Sequence, residues 1–205
     1  MNITTYIAGP IDANNYLIYD ESTRDAVLID CSDYREDILN EVKQKGLNVK
    51  YILLTHGHFD HILGVNEMKK ALNVKAGIAK ADIILLEHTP EMCEMFGIPP
   101  EEPQIADFTF DSDTKLSIGN NQIQILYTPG HTEGGVSYLI EDNLFCGDTL
   151  FKGSFGRTDL PGGDFKAIVN SIKNTLFKLD DNINVYPGHG ESTTIGYEKK
   201  YNEIN

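Results

Sequence analysis

Three histidines and an aspartate fall within six consecutive positions, His56-Gly57-His58-Phe59-Asp60-His61. Imidazole nitrogen and carboxylate oxygen are the donors that suit zinc, iron or manganese. The chain has 6 His in all, and half of them are here, so a chance cluster of solvated loop histidines accounts poorly for the run. Three more candidate donors stand apart from it. His131 lies in Thr128-Pro129-Gly130-His131-Thr132, Asp148 in Cys146-Gly147-Asp148-Thr149, and His189 in Pro187-Gly188-His189-Gly190. Each follows a run that reads as a strand and sits beside glycine, where the backbone can turn sharply and approach a site closely. One such histidine would more often be a structural hydrogen-bonding residue. Three such positions beside the cluster make coincidence a weak explanation. His88 has no companion in the sequence and reads as a surface residue.

The elements that must position these donors alternate between strands and helices. Residues 3–8, 16–19 and 26–29 read as an antiparallel meander with turns at Gly9-Pro10 and around residues 20–25. Asp33 with Glu36 three positions later has the form of a capping box. The helix it would open carries Ile38, Leu39 and Val42 on one face and stops at Gly46. Residues 51–54 form a buried strand that delivers the histidine cluster. A helix over 62–72, a strand over 74–78 and a short helix over 81–87 follow. Residues 89–107 hold four prolines with Met92, Met95 and Phe96 between them, and read as an excursion over the surface: a lid or substrate rim, or a packed Ω-like loop. Strands are expected over 115–118, 122–127, 136–140 and 143–146, with turns at Gly119-Asn120-Asn121 and Glu141-Asp142. Asp164 caps a helix with Phe165, Ile168, Val169, Ile172, Leu176 and Leu179 on its apolar face. A last strand over 183–186 leads to His189, and a short helix begins near Thr194.

Composition limits what this chemistry serves. At 205 residues, 40% hydrophobic and 23% charged, the chain has the make-up of a soluble globular protein and is expected to form one domain over 1–205. The formal net charge of -14 repels phosphate backbones, so nucleic acid is not an expected partner. No secretory signal and no membrane-spanning run is visible. Cys31, Cys93 and Cys146 are an odd, scattered set, which fits a reducing cytoplasm better than a disulfide framework.

The His-x-His-x-Asp-His run, followed in order by His131, Asp148 and His189, resembles the metallo-β-lactamase superfamily over nearly the whole chain. That resemblance implies an α/β fold, the four-layer αβ/βα sandwich, with a metal site along one edge. It implies two divalent metal ions, zinc first, with iron or manganese also accommodated. His56, His58 and His131 would hold one metal, Asp60, His61 and His189 the other, and Asp148 would bridge. A hydroxide bridging the metals would be the nucleophile, with Asp60 also able to orient it.

The segment from Gly147 through Asp159 and the C-terminal Pro187-Gly188-His189-Gly190 run are similar to the glyoxalase II (hydroxyacylglutathione hydrolase) branch, most of all to short bacterial members without the C-terminal helical domain. This implies hydrolysis of a small-molecule acyl thioester. The lactamases proper differ at the bridging position and are usually secreted, so drug hydrolysis is not expected. The alternative is a mono-iron persulfide dioxygenase using the equivalents of His56, His131 and Asp148. Lys152 and Arg157, beside the Asp148 turn, are candidates for a clamp on a carboxylate of the thiol carrier; the plain alternative for Arg157 is a pair with Asp159 or a loop carbonyl. Tyr127 and Tyr186 either line the pocket or pack within the strands, and Cys146 reads as a small buried strand residue.

Overall fold

A computed structural model of the chain describes residues 1–110 and 114–205. The N-terminal half is built from β1 (Asn2–Ala8), β2 (Ala13–Tyr19), β3 (Asp25–Ile29), α1 (Glu36–Lys45), β4 (Asn48–Leu53), α2 (Val65–Leu72), β5 (Lys75–Ala79), α3 (Ile83–Glu87), α4 (Thr89–Met95) and β6 (Phe108–Phe110). The C-terminal half comprises β7 (Leu116–Ile118), β8 (Asn121–Tyr127), β9 (Val136–Ile140), β10 (Asn143–Gly147), β11 (Leu150–Phe151), β12 (Ser154–Phe155), α5 (Phe165–Asn170), β13 (Asn184–Pro187), β14 (Thr193–Thr194) and α6 (Ile195–Tyr201).

The first six strands form one sheet in sequence order, antiparallel through β3 and parallel from β3 to β6. The second sheet runs β14-β13-β10-β9-β8-β7, with β10 and β13 parallel. Inner-face residues of both sheets share one core, in which Ile18, Val27 and Leu53 meet Ile118, Tyr138 and Phe145. The outer face of the first sheet is covered through Ile38, Met68 and Leu86 of the helices. The outer face of the second is covered through Ile168, Ile172 and Leu176. The result is helix, sheet, sheet, helix, the four-layer arrangement expected. Strands buried on both faces explain the continuous apolar runs 26–29 and 51–54.

Several local expectations are corrected. The capping box does not form: Arg35 is the N-cap of α1 and makes no side-chain cap bond, while Asp33 Oδ1 accepts from the Tyr34 amide. The acids Glu36 and Asp37 in the first turn are still well placed for the helix dipole. The excursion over 89–107 is not all loop. Its start is α4, with Pro90 in the first turn, where its missing N–H costs nothing. The helix expected from residue 62 begins at Val65, because Phe59–His61 coils into a separate 3₁₀ turn. Asp164 does cap its helix, accepting from the Ala167 amide at 2.9 Å, but Phe165 is exposed and the helix widens to a π turn at Ser171–Thr175. The strand pair β11–β12 and strands β6 and β14 are too short to leave a pattern in the sequence. No helix among the described residues is long and apolar enough to cross a membrane.

Candidate metal centre

Every candidate donor follows a strand: the 55–61 loop follows β4, His131 follows β8, Asp148 follows β10 and His189 follows β13. Carboxyl ends of strands are where an α/β sheet leaves room for a site. Two backbone features aim them. The β10–β13 register shifts between Phe145 and Gly147, and the bulge turns the chain just before Asp148. A Cβ on Gly188 would overlap Asp148 Oδ1 and crowd the His61 ring at 2.8 Å, so only glycine lets this turn come so close.

The donors gather into two adjoining groups, His56/His58/His131 and Asp60/His61/Asp148/His189, and within each group the ligand atoms lie within 4.8 Å of one another. In the first group His58 Nδ1 and His131 Nε2 face each other at 2.8 Å. In the second, His61 Nε2 stands 3.3 Å from Asp60 Oδ2, from Asp148 Oδ1 and from His189 Nε2. Asp148 spans the two: its Oδ2 is 3.6 Å from His131 Nε2 and 3.7 Å from His189 Nε2. All seven candidate ligands are therefore brought together.

Hydrogen bonds outside the groups fix which nitrogen carries the proton. His131 Nδ1 donates to the Arg157 carbonyl at 2.8 Å, which leaves Nε2 as a lone pair. His61 Nδ1 lies 2.9 Å from Asp30 Oδ2 and donates to it. Thr55 Oγ1 gives its proton to the same Asp30 oxygen at 2.8 Å, so it must accept from His56 Nδ1 at 3.0 Å. His56 Nε2 is then buried without a partner, and Asp148 Oδ1 is buried without hydrogen-bond geometry to any donor. The inward nitrogens of His56, His61 and His131 thus converge with the Asp60 and Asp148 carboxylates on two small volumes. A cation at each focus would satisfy the two ligand atoms left without a partner, His56 Nε2 and Asp148 Oδ1. The residues fit two metal ions, and the outer bonds are of the kind that orients metal-ligating histidine.

The electrostatics of the two groups differ. Burial first, then the neighbouring imidazoles, push His56 far below its ordinary range, and burial with His131 pushes His58 down to about 3. Both stay neutral, as ligands must. In the second group burial would raise Asp60 and Asp148, but His61 and the other histidines outweigh it and hold both acids below the usual carboxylate range. His61 is held up in turn, because Asp60, Asp148 and Asp30 overcome its desolvation.

Two contributing residues escaped the sequence reading. Asp30 ties His61 directly and His56 through Thr55, and it adopts a left-handed backbone (φ 59) that aspartate tolerates. It follows strand β3 as the other donors follow theirs, so the strand-end rule applied once more would have found it. Asp82 accepts from the Gly57 amide (3.0 Å), Thr132 Oγ1 (2.7 Å) and the Gly134 amide (2.6 Å), joining the His56 loop to the His131 loop. Nothing in its sequence neighbourhood marks it.

The other expected residues are placed as follows. Arg157 lies on the cleft wall with His58, Asp60, His131 and His189, and its guanidinium makes two 2.7 Å bonds to Asp159. Lys152, in the turn between β11 and β12, pairs with Glu191 at 2.6 Å and is not on that wall. Tyr186 stacks on Phe145 at 5.0 Å in the shared core, and Tyr127 sits exposed at the end of β8; neither lines the cleft, which corrects the pocket reading for both. Cys146 is buried, as expected, with Sγ 3.2 Å from the Leu150 carbonyl. His88 is exposed and donates from Nδ1 to the Ile84 carbonyl at 2.8 Å.

The family profile of the metallo-beta-lactamase superfamily matches residues 8–189. The hydroxyacylglutathione hydrolase GloC of Haemophilus influenzae is 35% identical over 206 residues, spanning 98% of this chain and 97% of GloC. The crystal structure of the BLEG-1 B3 metallo-beta-lactamase superposes with a TM-score of 0.91 at 34% identity, covering 99% of each chain. That of TTHA1623 in a di-iron-bound form gives 0.88, also at 34%, covering 98% of this chain and 100% of the other. The chain belongs to the metallo-beta-lactamase superfamily.

Proposed function

We propose that this protein is a two-metal hydrolase of small acyl thioesters. The observation that carries the reading is the completeness of both donor groups around a shared Asp148, with the protons of His56, His61 and His131 committed outward. The likeness to GloC supports thioesters as the substrate class. Zinc is the proposed metal, and the di-iron form of TTHA1623 makes iron the first substitute to test. His56, His58 and His131 would hold one ion, Asp60, His61 and His189 the second, with Asp148 shared. Such a pair supplies Lewis acidity and an activated water. The chain's own part is to keep His56 and His58 neutral, to hold Asp60 and Asp148 ionised, and to fix the rings of His56, His61 and His131 through their outer hydrogen bonds. Hydrolysis forms a C–O bond to water, breaks the acyl C–S bond and leaves the proton with the thiolate; a thiolate leaves readily, so no strong general acid is required. Arg157 stands where it can meet a carboxylate of the departing thiol carrier. Lys152 lies further out beside Glu191 and could steer the same carrier only from the rim.

The likeness to BLEG-1 favours one second reading, β-lactam hydrolysis at the same centre. An anaerobic assay of zinc-loaded protein on lactoylglutathione, beside a chromogenic cephalosporin and with Asp60→Ala as control, tests the proposal. Thioester turnover without oxygen is expected. Cephalosporin turnover alone would favour the second reading, and oxygen uptake on glutathione persulfide without thioester turnover would move the chain to the dioxygenases.

A further inference from the structure

A cavity of about 430 Å³ adjoins the metal centre between α3, α4 and the loop around Leu160. It lies within the size range of small-molecule pockets. Its walls include Ile84, Leu85, Met92, Met95, Phe96 and Leu160. The acids on its wall are Asp82, Glu91 and Glu133, and none of its lining residues is Lys or Arg. His58, Met92, Phe96 and Leu160 also line the cleft above the ligands, so the cavity and the metal centre are continuous. Two apolar side chains are left partly in water at its rim, Ile84 at 52% and Met95 at 63% exposure. The cation lies elsewhere: Arg157 is on the cleft wall, outside the cavity.

We infer that this cavity holds the acyl chain of the substrate, and that the preferred acyl group is uncharged and apolar, several carbons long. The inference rests on the thioester reading and narrows it. A substrate carbonyl held at the metals has two arms. The apolar, acid-rimmed cavity takes an alkyl chain and repels a carboxylate, whereas the open side, where Arg157 lies, suits a polar thiol that must leave into water. Lactoylglutathione, with a two-carbon hydroxylated side group, would leave most of the cavity unused.

The test uses zinc-loaded, full-length protein and N-acetylcysteamine thioesters with acetyl, butyryl and hexanoyl groups, together with the adipoyl ester, which is hexanoyl ending in a carboxylate. kcat/KM should rise up to about fourfold per added methylene, the ratio equivalent to about 0.8 kcal/mol per buried CH₂. The adipoyl ester should fall well below hexanoyl. Lengthening the thiol side of an acetyl thioester should produce no comparable rise. The double variant Ile84→Asp/Met95→Asp changes two exposed positions, and melting curves will report its folding; it should flatten the acyl-length series. A flat series in the wild type, or an equal rise on the thiol side, would overturn the inference while leaving thioester hydrolysis standing. If no thioester is hydrolysed, binding of S-(2-oxoalkyl)-N-acetylcysteamine ketones, measured by calorimetry, decides separately: affinity rising with chain length supports the cavity assignment, and length-independent or absent binding overturns it.

Discussion

The two donor groups share a carboxylate but are built on opposite electrostatic plans. The first is three imidazoles, all deeply buried, with His56 and His58 pushed far from protonation. The second mixes two ionised carboxylates with two histidines and opens toward the cleft, where the His189 side chain is 26% exposed against 0% for His61. A site without a carboxylate of its own cannot offset a dication's charge, so it depends on Asp148. A site rich in carboxylate can hold an ion more independently, yet its open face lets ligands exchange. The difference teaches that Asp148 matters more to the first group than to the second, while Asp30 serves both from behind.

Breaking the shared residue should have the largest effect. Asp148→Ala is expected to empty the first group and weaken the second, abolishing measurable turnover, with metal content by elemental analysis as the readout. Retention of a full metal complement would show that the groups are independent. Asp30→Ala should come next. It removes the acceptor of His61 Nδ1 and of the Thr55 hydroxyl, and loss of such outer bonds typically weakens metal affinity by about 10- to 100-fold; chelator competition should find both ions affected. Thr55→Val sharpens the contrast, since it should weaken chiefly the His56 side and by less. Arg157→Ala should raise KM for a carboxylated thioester by roughly tenfold with little change in kcat, and should leave an uncharged thioester nearly unaffected. The existing pair with Asp159 puts the expectation at the low end, because a substrate carboxylate must compete for a guanidinium already bonded. Asp82→Asn should act on folding rather than on metal. An amide nitrogen would replace one oxygen that now accepts from Gly57, Thr132 or Gly134, at a cost of about 1–3 kcal/mol in thermal or denaturant unfolding.

Much of this centre was legible before any coordinates. The histidine run, the strand before it and three donors at strand ends beside glycine were all local patterns, and long buried strands are the elements that sequence shows best. What stayed hidden has identifiable causes. Asp30 was passed over, because its bonds to Thr55 and His61 span 25 and 31 positions. Asp82 serves residues 50 and 52 positions away. The false capping box had the right spacing, but Asp33 bonds the Tyr34 amide and the helix starts two residues later. Helix α4 was obscured by prolines, one of which sits in the first turn, where a helix accepts it. The clamp reading depended on which way two exposed side chains point, and spacing along a loop does not specify that.

The central claim is that both donor groups hold a metal ion through the seven residues named. Elemental analysis of protein saturated with zinc, paired with anomalous scattering from its crystals, measures this directly. The account predicts two ions per chain, with Asp148 touching both and His189 on the second. A single ion held by the first group, with His189 turned away after saturation, would contradict it.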